Sequence, residues 1–96
     1  MYYLVCYDIS SNRTRRIAIK YCKLAGLVRV QRSVFTGAST HLRIQEISNQ
    51  LAPLLQPKTD SLSIQSLDAT AWRRWQVAGK TLDKTAIAKQ RGAVFF

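Results

Sequence analysis

The sequence predicts one small α+β domain. Two observations carry this. Between residues 2 and 67 the apolar residues switch between strand-like and helix-like spacing in the order β-α-β-β-α-β, and 96 residues leave room for a single core. Residues 2–7 are aromatic and β-branched almost throughout and lead into Asp8-Ile9-Ser10-Ser11-Asn12, so they read as a buried strand followed by a turn. Residues 13–25 read as a helix. Ser11 or Asn12 supplies the cap, and Gly26 supplies the left-handed stop. Ile17, Tyr21 and Leu24 share one face with Thr14, Ala18 and Ala25, while Arg13, Arg16, Lys20 and Lys23 share the opposite one.

Residues 27–36 hold two short strands. Val28 and Val30 alternate with Arg29 and Gln31, a turn or bulge falls at Arg32-Ser33, and Gly37 is expected to end the second strand. Ser39 or Thr40 caps a second helix reaching about residue 52, with Ile44, Ile47 and Leu51 as its core stripe and Pro53 at its limit. Residues 56–60 form a loop, and residues 62–67 form a fourth strand with Leu62 and Ile64 on one face.

This order is the ferredoxin-like one, two helices on one face of a four-stranded antiparallel sheet. The other face and the two edges then need cover, which points to a homodimer. Trp72 to Val77 interleaves aromatic and basic residues and reads as an extra C-terminal strand. The expected domain is therefore residues 1–78, followed by a basic tail over residues 79–96. The tail's apolar end, Val94, Phe95 and Phe96, is expected to dock on a protein surface.

Charge narrows the function. Fifteen Lys and Arg against five Asp and Glu give a net charge of +10, which calls for a polyanionic partner, nucleic acid before an anionic membrane surface. The basic face of the first helix, with Arg73 and Arg74, suits backbone phosphates. No apolar run approaches the roughly 20 residues of a membrane span, and no basic segment precedes an apolar signal, so a cytoplasmic protein without membrane association is expected. Cys6 and Cys22 form no CxxC pair and His41 is the only histidine, which argues against zinc and against histidine-based catalysis.

The acidic residue best placed for chemistry is Asp8, at the end of the first strand. A carboxylate there can bind Mg²⁺, and Mg²⁺ can bind a phosphate oxygen and activate water. A second copy of Asp8 across a dimer axis would add a ligand. The local alternatives are a bond to the backbone N–H two residues on, or a pair with Arg13 or Arg15.

Tyr7-Asp8-Ile9 at the end of an apolar strand, an arginine-rich helix start, and the stretch from Gly26 to Gly37 (GLVRVQRSVFTG) together resemble the Cas-two family of CRISPR-associated proteins. The resemblance is convincing over residues 1–67. It implies a ferredoxin-like homodimer in which a strand near residues 74–77 extends the partner's sheet. It implies a subunit of CRISPR adaptation that holds duplex DNA and bridges dimers of the adaptation integrase. It also implies Mg²⁺-dependent nuclease action, with an endoribonuclease on single-stranded RNA or a toxin-like ribonuclease as the alternative. Asp8 matches the family's metal-binding, catalytic aspartate, Arg15 an arginine of the helix start, Tyr7 the first motif, and Arg29 and Phe35 the second. Where the family often carries further acids after the aspartate, this chain has Ser10, Ser11 and Asn12, a surface better suited to binding phosphate than to cleaving it.

Overall fold

The computed structural model describes residues 1–75. Its elements follow the expected order: β1 (Tyr2–Asp8), α1 (Asn12–Leu24), β2 (Val28–Gln31), β3 (Val34–Ala38), α2 (His41–Leu51), a single 3₁₀ turn (Ala52–Leu54), β4 (Ser61–Leu67) and α3 (Ala69–Arg74). The four strands form one antiparallel sheet in the order β2-β3-β1-β4, the ferredoxin-like arrangement.

β1 lies between β3 and β4, so it is the strand that alternation sorts most sharply. Tyr3, Val5 and Tyr7 are buried and join Phe35, Ala18, Cys22, Ile44, Ile47 and Leu51 in the main core. Tyr2, Leu4 and Cys6 point to the second face of the sheet and are half-buried. Val28, Val30 and Val34 form a smaller apolar cluster with Trp75.

The first helix is capped by Ser11, whose hydroxyl accepts the Thr14 N–H at 3.3 Å. Its C-terminus closes when Leu27 N–H reaches Cys22 O at 3.1 Å and Gly26 N–H reaches Lys23 O at 3.0 Å. That closure requires a left-handed residue, and Gly26 has φ of 84°. The core face of α1 turns on Thr14, Ala18 and Cys22. Leu24, expected in the core, is instead 61% exposed. Four residues per repeat carry the buried row through Cys22, and Leu24 sits two residues past it, across the helix. The Cys22 thiol is pushed up to about 12 by burial. Gly37 does not end β3, which continues one residue to Ala38.

Thr40 caps α2, accepting the Arg43 N–H at 3.3 Å, and Ile44, Ile47 and Leu51 are its buried stripe as expected.

The expected extra strand over residues 72–77 is corrected over its described part: Ala69–Arg74 is helical. Asp68 decides this, because its Oδ1 accepts the Ala71 N–H at 2.7 Å and opens a helix where a strand would continue. Trp72 then anchors the helix on the second face of the sheet. Its ring stacks on Tyr2 with centroids 4.2 Å apart, and its Nε1–H donates to Thr36 Oγ1 at 2.9 Å. The Thr36 hydroxyl in turn donates to Tyr3 O at 2.8 Å. Residues 76 and 77 and the tail with Val94, Phe95 and Phe96 lie outside the described residues. No helix among the described residues is long and apolar enough to cross a membrane.

Candidate nucleic-acid interface

Asp8 is exposed at the C-terminal end of β1. It faces a cleft of about 500 Å³ between the N-terminal half of α1 and the β2–β3 turn. Arg15 and Arg16 reach the cleft from α1, Arg29 from β2 and Arg32 from the turn. Four arginines and one carboxylate thus line the cleft.

Three of these arginines are held by backbone carbonyls, Arg16 the most loosely, its Nε donating to Asn12 O at 3.4 Å. Arg15 Nη1 donates to Ile9 O at 3.0 Å and lies 3.5 Å from Ser10 O. Arg29 donates Nε and Nη2 to Arg32 O at 3.0 and 2.6 Å, and its guanidinium sits 5.9 Å from the centre of the Phe35 ring. The same carbonyl accepts the Tyr7 hydroxyl at 3.4 Å. Tyr7 and Phe35 lie with ring centroids 6.4 Å apart, so the two motif aromatics form the floor on which the turn is fixed. Burial pushes the Tyr7 phenol up, and the nearby Arg29 works against that shift. A guanidinium tied to a carbonyl keeps its remaining N–H groups in place for an anion, with less side-chain entropy to lose on binding.

Two of the three local partners proposed for Asp8 bond elsewhere. Ser10 N–H, two residues on, donates to Asp60 Oδ1 at 3.0 Å. Arg15 serves the carbonyls above, and Arg13 is exposed on α1.

The other predicted residues separate into two groups. Arg16 lines the cleft beside Asp8, whereas Arg13 and Lys20 project from the exposed face of α1. Lys20 Nζ lies 5.5 Å from the Tyr21 ring centre. Arg73 and Arg74 are exposed in the last turn of α3 and do not line the cleft. Two participants were not singled out from the sequence, Arg32 and Asp60. The signal for Asp60 was its place just before β4, whose Ser61 pairs with Asp8 across the sheet.

As a metal site the cleft offers one carboxylate per chain, and no group of three His, Cys, Asp or Glu residues gathers among the described residues. That donor set fits a hydrated Mg²⁺ that takes most of its ligands from water and from a bound phosphate. It does not fit a tightly held structural ion.

Fold and cleft together define a class: a small ferredoxin-like domain with a basic, single-carboxylate cleft at the end of a central strand. Within that class, the chain belongs to the Cas2 family of CRISPR-associated proteins, since the family model described as CRISPR associated protein Cas2 matches residues 1–75. The chain is 34% identical over 85 residues, 88% of its own length and 90% of the relative's, to a protein of Chloroflexus aurantiacus named CRISPR-associated endoribonuclease Cas2 3. It is 38% identical over 48 residues, half of each chain, to CRISPR-associated endoribonuclease Cas2 1 of Methanospirillum hungatei. Among solved structures, Streptococcus pyogenes Cas2 superposes with a TM-score of 0.62 at 30% identity, covering 82% of this chain and all of that one.

Proposed function

We propose that the chain is a nucleic-acid-binding subunit of CRISPR adaptation, a homodimer that holds duplex DNA by its backbone and bridges dimers of the adaptation integrase. The observation that carries the nucleic-acid part is the ratio of charges lining the cleft: four arginines, three of them bonded to backbone carbonyls, and a single acid. Family membership supports the adaptation role. The half-buried Leu4 and Cys6 on the second face of the sheet support a second copy as the cover. Duplex binding is expected to be indifferent to sequence and strongly salt-sensitive, with a slope of log affinity on log salt near −0.9 per phosphate neutralised. Arg15→Ala and Arg29→Ala should each lower that slope by about one. A slope unchanged in both variants would place the nucleic acid elsewhere.

A second reading, a Mg²⁺-dependent endoribonuclease, is favoured by the exposed Asp8 carboxylate and by the names of the relatives. Asp8 would hold the ion, and the ion, when bound, supplies Lewis-acid activation of water and phosphate. Arg15 and Arg29 would orient the phosphate beside it. Cleavage of single-stranded RNA that stops with chelator and with Asp8→Ala would establish this reading. Cleavage persisting in the purified Asp8→Ala protein would assign the activity to a contaminant.

A further inference from the structure

We propose that Asp60 is a positioning residue for Asp8: it takes the backbone donor that Asp8 would otherwise capture, and so keeps the Asp8 carboxylate available to an external ligand. This rests on the reading of Asp8 as the functional carboxylate of the cleft.

An aspartate at a strand end, just before a turn, ordinarily accepts the backbone N–H two residues on. For Asp8 that donor is Ser10. The structure turns both Ser10 donors to Asp60: its N–H and its Oγ each donate to Oδ1 at 3.0 Å. The second oxygen, Oδ2, accepts the Gln56 N–H at 2.9 Å, and the Thr59 hydroxyl adds a further bond to Oδ1 at 3.1 Å. Asp60 N–H closes the loop on Gln56 O at 2.8 Å. The carboxylate is therefore fixed from its own side before it meets Ser10. Two backbone N–H bonds, from Gln56 and then from Ser10, hold it down to about 2, so it remains an acceptor at any working pH. The sheet delivers it to the right place, because Asp8 pairs with Ser61, the residue after Asp60.

The consequence is a division of labour between two acids on neighbouring strands. Asp60 serves the fold with both oxygens. Asp8, relieved of Ser10, keeps its oxygens for a cation or for a water beside the arginines. A carboxylate already accepting a backbone N–H is a poorer base and a poorer ligand, so this separation acts directly on the chemistry open to Asp8.

The test follows the Ser10 amide by NMR hydrogen exchange in the full chain. In Asp8→Ala, exchange at Ser10 should stay within about twofold of the unaltered protein, because Asp60 is its acceptor. In Asp60→Ala, Asp8 should take over, so that adding Asp8→Ala to that variant speeds Ser10 exchange about tenfold further. Mn²⁺, a paramagnetic probe for the Mg²⁺ position, should bind Asp60→Ala about five- to tenfold more weakly than the unaltered protein. Tenfold faster Ser10 exchange in Asp8→Ala alone would overturn the proposal, and that variant alters only an exposed strand end, so it does not depend on Asp60→Ala folding. Equal exchange in Asp60→Ala and the double variant would also overturn it. Absence of Mn²⁺ binding by the unaltered protein would remove the metal reading of Asp8, while the exchange comparison would still decide the role of Asp60.

Discussion

The Arg29 guanidinium closes on the carbonyl of Arg32 through two donors, Nε at 3.0 Å and Nη2 at 2.6 Å. A side chain from β2 therefore fixes the turn that follows its own strand, and the turn in turn fixes the side chain. Lysine carries the same charge and cannot make the two-donor contact. Arg29→Lys should thus weaken duplex binding while leaving the salt slope within about 0.3 of the unaltered value, whereas Arg29→Ala lowers the slope by about one. Binding titrations at four or five salt concentrations separate the two.

The Trp72 contacts give a prediction about stability. Trp72 is 1% exposed, stacked on Tyr2 and hydrogen-bonded to Thr36. Trp72→Ala should cost about 3–5 kcal/mol, and Trp72→Phe, which keeps a ring but loses the N–H donor, about 1 kcal/mol beyond its lost area. Urea unfolding of the three proteins measures both. A cost under 1 kcal/mol for the alanine variant would show that α3 is not anchored through this residue.

The turn after α1 rests on one backbone conformation. Gly26 has φ of 84°, a value that costs an alanine about 1 kcal/mol or more. A Cβ there meets only Ala38 O at 3.9 Å, so the expected loss in Gly26→Ala is conformational, not steric. Gly26→Asn should recover part of it, since asparagine tolerates the left-handed region better than alanine.

Asp60 sets an acid limit. Backbone N–H bonds from Gln56 and Ser10 hold its carboxyl down to about 2, below the ordinary 3.8. A depressed carboxylate contributes stability that is present in full above the unfolded pKa and is lost as the pH falls through the folded one. Between about pH 4 and pH 2 the unaltered protein should therefore lose stability more steeply than Asp60→Asn, with the two curves running parallel above pH 5. Thermal unfolding across that range checks the sign. A steeper acid loss in the asparagine variant would contradict the bonding described for Asp60.

Much of the fold was legible because single residues decide it locally. Gly26 and the pairs Ser11-Asn12 and Ser39-Thr40 marked helix boundaries by their own chemistry, the caps proving to be Ser11 and Thr40, and the Ile44, Ile47, Leu51 row marked the core by spacing. The error at residues 72–74 came from reading alternating aromatic and basic residues as a strand while overlooking Asp68 as a cap. Trp72 is buried by a partner on β1 and another on β3, and no spacing within residues 72–77 encodes either. Leu24 misled in the same way, an apolar residue taken for core where the helix turns it outward. At the site, Asp8, Arg15 and Arg29 could be named from the sequence because motif residues carry them. Arg32 and Asp60 could not, since one acts through a turn and the other across a strand pair.

That strand pair has a bearing on how the protein comes into being. The register that sets Asp8 beside Ser61 joins positions more than fifty residues apart, and the bond from Ser10 to Asp60 spans fifty. Contacts of such separation form late in folding, because a long loop must close before they return any stabilisation. A chain emerging from the ribosome exposes β1, α1, β2 and β3 before β4 has left the exit tunnel, and its Ser10 amide then has no Asp60 to meet. The cleft of a nascent chain is basic from the start, but its single acid takes up its mature surroundings only when the outer strand arrives.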